Sequence, residues 1–75
     1  MLHFEHITYS EHAKRRMAQR RISQPMVEFV LRVGEGEYDE MDATWTYVLD
    51  RVAIVVAERG DAAHVVTVYR VSSHT

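Results

Sequence analysis

The spacing of hydrophobic side chains changes near the middle of the chain, and this change predicts two helices followed by a sheet. Between residues 11 and 33, apolar side chains recur at steps of three and four, as on one face of an α-helix. From Thr44 onward the step is two, as in a β-strand. The order of the elements predicts an α+β fold in which two N-terminal helices pack on a three- to four-stranded antiparallel sheet.

The first predicted helix is mostly polar. It begins either near Thr8, which can form a capping box with Glu11, or at Ser10, the alternative N-cap. Nothing in the sequence interrupts the helix before about Arg20. Its apolar contact is narrow and consists of Ala13 and Met17.

The second predicted helix supplies most of the helical core. Ser23 is its N-cap, and Pro25 fits the first turn, where a missing N–H costs little. Gly34 is expected to end the helix in a left-handed conformation. One broad buried face is predicted for Met26, Val27, Val30, Leu31 and Val33.

The second half of the chain predicts strands joined by short turns, after an acidic linker at residues 35–42. The predicted strands are Thr44–Leu49, Val52–Ala57 and His64–Val71, with a weaker candidate at Leu2–Ile7. The turns are Asp50-Arg51 and Arg59-Gly60-Asp61. Alternation along the last strand places Val66 and Val68 on one face, and on the other Val65, Thr67, Tyr69 and Val71.

Length and composition limit the kinds of protein to consider. A chain of 75 residues has room for one domain, residues 1–75, with a modest core. The absence of cysteine excludes disulfides and thiolate metal sites. No apolar run has the length of a membrane span or of a signal-peptide core. These features predict a cytoplasmic protein without membrane association.

The formal net charge of −2 conceals a separation of charge along the chain. One segment is purely basic and contains Lys14, Arg15, Arg16, Arg20 and Arg21. Another segment is purely acidic and contains Glu35, Glu37, Asp39, Glu40 and Asp42. Such a separation creates a local field that the total charge hides. The basic segment is therefore a candidate nucleic-acid-binding surface.

His12, Arg16 and Arg20 form the strongest candidate site within this segment. Steps of four residues drift by only about 40° around a helix, so the three side chains share one stripe. Like charges at this spacing destabilise an isolated helix, and a phosphate or an acidic surface would offset that cost. Arginine binds phosphate through paired hydrogen bonds, and histidine exchanges a proton near neutral pH. The combination predicts a His/Arg phosphate site.

A purely structural interpretation explains the same residues. Arg16 or Arg20 would pair with an acidic side chain of residues 35–39, and His12 would bond to backbone at the helix start. Ion-pair networks of this kind resemble functional sites. The sequence leaves both interpretations open.

Two hydroxyl groups on the last strand extend the candidate site. Thr67 and Tyr69 share a face, and they would meet the stripe if that face met the first helix. The alternative for Tyr69 is ordinary strand packing with its hydroxyl at the rim. The predicted catalytic set is thus His12, Arg16, Arg20, Thr67 and Tyr69.

Other chemistry has less support in the sequence. His3, His6 and His12 lack a cysteine or a fixed carboxylate spacing, so neither a metal site nor a cofactor is predicted. Trp45 and Tyr47 fit a core aromatic ladder better than a platform for stacking nucleic-acid bases.

The stretch Ser10–Ser23 (SEHAKRRMAQRRIS) and the later Val65–Tyr69 (VVTVY) resemble the small bacterial domain-of-unknown-function 4258 family. The family pattern has His-Ala, then Arg-Met, then an Arg followed by one residue and Ile-Ser, and it ends in a Val-Thr-Val-Tyr strand. Arg21 stands where glycine is usual, which makes the turn between the helices less permissive. The resemblance spans nearly the whole chain.

By analogy of fold, this family is grouped with metal-independent ribonucleases of the barnase–EndoU–colicin–RelE type, which include toxins of toxin–antitoxin systems. The resemblance therefore implies a RelE-like layout of two helices against an antiparallel sheet. Analogy of fold is a weaker guide to activity than to architecture.

Two functions from different classes follow. The first is toxin-like cleavage of RNA without a metal, with His12 as general base or acid. Arg16 and Arg20 would hold the phosphate, while the hydroxyls of the last strand would orient the substrate or donate a proton. The alternative is a non-catalytic module that binds nucleic acid or protein. The candidate partners are RNA, an antitoxin or other protein, and a second copy of the chain in a homodimer.

Overall fold

The computed structural model describes residues 2–71, which form two helices and five strands. In chain order these are β1 (His6–Tyr9), α1 (Glu11–Arg20), α2 (Gln24–Val33), β2 (Glu35–Asp39), β3 (Thr44–Leu49), β4 (Val52–Arg59) and β5 (Ala62–Arg70). Both helices and the last three strands lie where the hydrophobic spacing predicts them. The α+β class is confirmed.

The five strands form one sheet in the order β1-β5-β4-β3-β2. Neighbouring strands are antiparallel except β1 and β5, which run parallel. The predicted three- to four-stranded antiparallel sheet is therefore corrected to a five-stranded mixed sheet. The difference arises because the two helices carry the chain from β1 at one edge to β2 at the opposite edge. Only a long connection of this kind permits a parallel strand beside β5.

The first strand begins and ends later than the predicted strand Leu2–Ile7. Thr8 is consequently a strand residue, and its Oγ1 shares a 2.8 Å hydrogen bond with His64 Nδ1. Ser10 is the N-cap of α1, since its Oγ accepts a hydrogen bond from the Ala13 N–H at 2.9 Å. Of the two predicted caps, Ser10 is confirmed and Thr8 is wrong.

The acidic segment 35–42 is wrong as a predicted linker, because its first half is the edge strand β2. The register with β3 places Glu35 opposite Val48 and Glu37 opposite Thr46. All five residues of β2 are exposed. Glycine and acidic residues have low strand propensity, so pairing with β3 rather than local preference makes this segment a strand.

The core lies between the two helices and one face of the sheet. Helix α1 packs against β5, and α2 packs against β3 and β4. The predicted helix faces are confirmed at Ala13, Met17, Val27, Val30 and Leu31. Val33 does not belong to this face and is 55% exposed. At 100° per residue it lies roughly 110° from the centre of the buried stripe around Val27.

A β-bulge changes the faces predicted for β5. The register between β4 and β5 shifts at this point, and Val66 is the extra residue on β5. Val65 and Val68 consequently both lie in the core, 0% and 1% exposed. The prediction that Val65 shares a face with Thr67 and Tyr69 is therefore wrong. The latter two do share a face, which is the one opposite the core.

Gly34 ends α2 without adopting the left-handed conformation predicted for it. Its φ of −75° and ψ of 169° are extended, and its N–H donates to the Val30 carbonyl at 2.8 Å. Glycine is needed here for space. A Cβ would lie 2.6 Å from the Val30 carbonyl oxygen and 2.9 Å from that of Val48. The end of α2 therefore approaches β3 too closely for a side chain.

Replacing Gly34 with alanine is expected to lower the free energy of unfolding by about 2–3 kcal/mol, because two backbone carbonyls would have to move apart. Urea denaturation followed by circular dichroism measures this loss. Gly60→Ala is the matched control, since a Cβ at Gly60 meets no atom within 4 Å. The free energy of unfolding of Gly60→Ala is expected to fall by only about 1 kcal/mol, because alanine is strained in the left-handed conformation. Gly60 has this conformation, with φ of 62°. Equal stability of the two variants would contradict the close approach.

Candidate functional site

Helix α1 is anchored to the sheet at its N-terminal end through Ser10. The Ser10 N–H donates to the Val65 carbonyl at 3.0 Å. The Ser10 hydroxyl donates to the Val66 carbonyl at 2.8 Å while it accepts from the Ala13 N–H. The helix that carries the basic segment is therefore positioned at the bulge of β5.

The basic stripe, by which we mean His12, Arg16 and Arg20, is present on α1, and its first two members are in contact. Arg16 Nε donates to His12 Nε2 at 3.5 Å, and Arg16 Nη1 donates to Gln19 Oε1 at 3.1 Å. This contact places the His12 imidazole beside a side chain that keeps its positive charge throughout the physiological pH range. His12 and Arg20 are exposed, and Arg16 is half-buried. A proton acceptor and a cation thus lie side by side at the surface.

The side chain of Arg70, at the end of β5, caps the C-terminal end of α1. Its Nε and Nη2 donate to the Arg20 carbonyl at 3.1 and 2.9 Å, and Nη2 also lies 3.4 Å from the Arg21 carbonyl. These bonds satisfy carbonyls that the helix end leaves without a partner. Arg21 itself adopts the left-handed conformation, with φ of 56° and ψ of 45°, which explains why glycine would be favourable there. Sequence reasoning did not single out Arg70.

Within residues 2–71, the guanidinium groups of the basic stripe have no carboxylate partner. The two ion pairs of this part of the chain are Lys14–Glu11, at 3.8 Å, and His6–Asp61, at 3.7 Å. The acidic strand β2 forms one edge of the sheet, and β3 and β4 separate it from β5, against which α1 packs. The structural interpretation, in which residues 35–39 neutralise Arg16 or Arg20, is therefore wrong.

Thr67 and Tyr69 lie on the sheet face that the core does not occupy. Thr67 is half-buried, and Tyr69 is 39% exposed. No hydrogen bond among residues 2–71 joins either hydroxyl to His12, Arg16 or Arg20. The structure thus brings together the first two residues of the stripe and places Thr67 and Tyr69 on the sheet face away from α1, and the catalytic set as a whole stays a prediction.

Three aromatic side chains of β2 and β3 form a row that runs from the exposed Tyr38 to the buried Tyr47. Ring centroids are 5.3 Å apart for Tyr38 and Trp45, and 5.9 Å apart for Trp45 and Tyr47. Tyr47 is buried, and Trp45 packs against the core while its Nε1 donates to Glu58 Oε1 at 3.0 Å. The prediction of a core aromatic ladder is confirmed.

A polar groove of about 340 Å³ lies between β1 and α2. Its lining includes Tyr9, Gln24, Glu28 and Arg32. Burial raises the pKa of the Tyr9 hydroxyl, and the nearby Glu28 carboxylate raises it further. Tyr9 is thus a hydrogen-bond donor at neutral pH rather than a base. None of the predicted site residues lines this groove.

The fold and the surface define a small α+β protein with a mixed sheet, whose first helix carries arginines that have no carboxylate partner among residues 2–71. The chain belongs to the family described as Domain of unknown function (DUF4258), whose model matches residues 9–70. The resemblance noted from the sequence is therefore confirmed, and the match includes the basic stripe and Arg70. No curated protein and no solved structure matches the chain. The analogy with RelE-type ribonucleases accordingly stays a prediction.

Neither helix among residues 2–71 combines the length and the apolar character needed to cross a membrane.

Proposed function

We propose that the chain binds RNA through the phosphate groups of its backbone, using a basic surface on α1. This surface consists of Lys14, Arg15, Arg16, Arg20 and Arg21. The observation that supports the proposal is the lack of a carboxylate partner for its arginines within residues 2–71. Because cations so close together repel one another, an anionic ligand would stabilise this surface.

Arginine side chains bind phosphate better than positive charge alone would. Each guanidinium offers a planar pair of donors that matches two phosphate oxygens, and it keeps its charge throughout the physiological pH range. Arg20 is exposed on the stripe, and Arg16 holds its guanidinium toward the exposed His12. A phosphate bound by both arginines would therefore lie beside the imidazole.

The acidic residues of β2 restrict where RNA binds. They lie at the sheet edge farthest from β5, and all of them are exposed. They repel phosphate from that edge, so RNA is directed to α1 although the net charge is −2.

We further propose that the bound RNA is cleaved in a toxin-like, metal-independent reaction. The His12 imidazole takes the proton of a ribose 2′-hydroxyl. The 2′-oxygen forms a bond to phosphorus, and the bond from phosphorus to the 5′-oxygen breaks. Arg16 and Arg20 stabilise the charge that develops on the phosphate. Because Thr67 and Tyr69 lie on the sheet face away from α1, a water molecule rather than either hydroxyl protonates the leaving 5′-oxygen, giving a 2′,3′-cyclic phosphate and a 5′-hydroxyl.

A salt titration of binding to short single-stranded RNA tests the first proposal. We expect log Kobs to fall linearly with log salt concentration, with a slope of about −2 to −3.5 if three to five cations contact phosphate. The double variant Arg16→Ala/Arg20→Ala is expected to lower the magnitude of this slope by about 1.4–2. Fluorescence anisotropy measures both the affinity and the slope.

The matched control is Arg51→Ala/Arg59→Ala, which removes the same charge from exposed positions outside α1. This control is expected to keep most of the affinity and the slope, because its arginines contact no phosphate. An equal loss of RNA affinity in both double variants would mean that binding depends on net charge alone, and it would contradict a specific surface on α1. Absence of salt-dependent RNA binding would exclude it, and an acidic protein such as an antitoxin would then be the partner to test on the same surface.

A further inference from the structure

A group of potential metal ligands lies away from α1, where the turn between β4 and β5 meets the start of β1. Glu5, His6 and Asp61 each place one ligand atom within 4.8 Å of the other two. His6 Nε2 and Asp61 Oδ2 are 3.7 Å apart. We propose that these three side chains bind a divalent transition-metal ion, with Zn²⁺ as the best match.

The backbone fixes the three residues relative to one another. The Asp61 carbonyl accepts hydrogen bonds from the N–H groups of Glu5, at 2.7 Å, and His6, at 3.4 Å. His6 is paired with Ala62 in the parallel ladder of β1 and β5. The left-handed Gly60 turns the chain immediately before Asp61. The positions from which the ligands project are therefore set by secondary structure.

The distances suit tetrahedral coordination after small side-chain rotations. Zinc binds imidazole nitrogen and carboxylate oxygen at about 2.0–2.2 Å, so ligand atoms of a tetrahedral site lie about 3.4 Å apart. The separation between His6 and Asp61, 3.7 Å, is already close to that value. Three protein ligands leave the fourth position of the ion to water.

The type of ligand determines the type of ion. An imidazole together with carboxylates suits Zn²⁺ and its neighbours in the first transition row, whereas Mg²⁺ and Ca²⁺ prefer oxygen ligands alone. Glu58 borders the same depression as Glu5 and Asp61. The carboxylates around it add a negative potential that favours a divalent cation.

A bound ion would also link elements that are distant in sequence. It would connect the segment before β1 to the turn between β4 and β5, and so stabilise the parallel pairing of β1 with β5. The inference is independent of the proposed RNA-binding surface, because it concerns none of the residues of α1.

Calorimetric titration of the untagged protein with ZnCl₂ tests the proposal. We expect one ion per chain, and an affinity at least tenfold lower in His6→Ala and in Asp61→Asn. At a zinc concentration about tenfold above Kd, the melting temperature of the wild type is expected to rise by about 5–10 °C. Both side chains are more than 60% exposed, at 67% and 62%, so the two variants are expected to fold.

His12→Ala is the matched control, since it removes a histidine outside the cluster and is expected to leave zinc binding unchanged. Zinc binding that survives in both His6→Ala and Asp61→Asn would overturn the proposal, as would equally tight binding of Mg²⁺. Absence of zinc binding to the wild type would overturn it as well.

Discussion

His12→Ala is expected to lower the rate of RNA cleavage by a factor of about 10²–10⁴, while RNA affinity stays within about threefold of the wild type. The two effects separate because His12 is proposed to move a proton, whereas the arginines hold the phosphate. Its Nε2 lies 3.5 Å from Arg16 Nε, so the imidazole is next to the cation that is proposed to hold the phosphate. Cleavage of a fluorophore-labelled RNA under single-turnover conditions measures the rate.

The matched control is His3→Ala, which removes another exposed histidine at a position away from α1. It is expected to cleave RNA at the wild-type rate. Equal rates for His12→Ala and the wild type would exclude His12 as the catalytic group. If the wild type binds RNA without cleaving it, the protein is a binding module, and the phosphate-binding proposal stands without the catalytic one.

The helices were predictable because each local signal agreed with the tertiary structure. Ser10 and Ser23 cap the two helices through their side chains, as their residue type favours. Ala13 and Met17 alone give α1 a buried face, and the structure buries both. Capping and periodicity depend on neighbours within one or two turns, and the sequence contains that information directly.

The errors in the predicted sheet come from interactions between residues that are distant in sequence. β2 is a strand because β3 supplies its hydrogen bonds, although its glycine and its acidic residues do not favour a strand. The bulge at Val66 moves Val65 to the core face, and strict alternation has no means of indicating an extra residue. Glycine at a helix end commonly adopts the left-handed conformation, whereas Gly34 has an extended backbone and permits close approach to β3.

The candidate sites show the same contrast between features on one helix, which the sequence reveals, and contacts between distant residues, which it does not. Four-residue spacing identified the basic stripe, since all of its members are on one helix. Arg70 caps the end of that helix from fifty residues away, as its hydrogen bond to the Arg20 carbonyl shows. Asp61 meets His6 only because β1 runs parallel to β5. The spacing of the histidines in the sequence therefore gives no indication that Asp61 lies beside His6.

Ile54→Ala is expected to lower the free energy of unfolding by about 2–5 kcal/mol, the usual range for removing a large aliphatic side chain from a core. Ile54 is 0% exposed in the middle of β4, and its register partners Tyr47 and Val68 are buried as well. A chain of 75 residues has a total stability of about 4–11 kcal/mol. One truncation would thus remove a large part of it. Urea denaturation followed by circular dichroism measures the loss.

Val55→Ala is the matched control, because Val55 is the next residue of β4 and points to the face opposite the core, where it is half-buried. Its truncation removes fewer contacts and leaves no enclosed cavity, so the expected loss is about 1 kcal/mol or less. Comparable losses in both variants would mean that the second face of the sheet is covered in solution, for example by another copy of the chain. In that case the loss in Val55→Ala would depend on protein concentration, since dimerisation stabilises by mass action. The pair of variants therefore tests both the position of the core and the exposure of the second face of the sheet, on which Thr67 and Tyr69 lie.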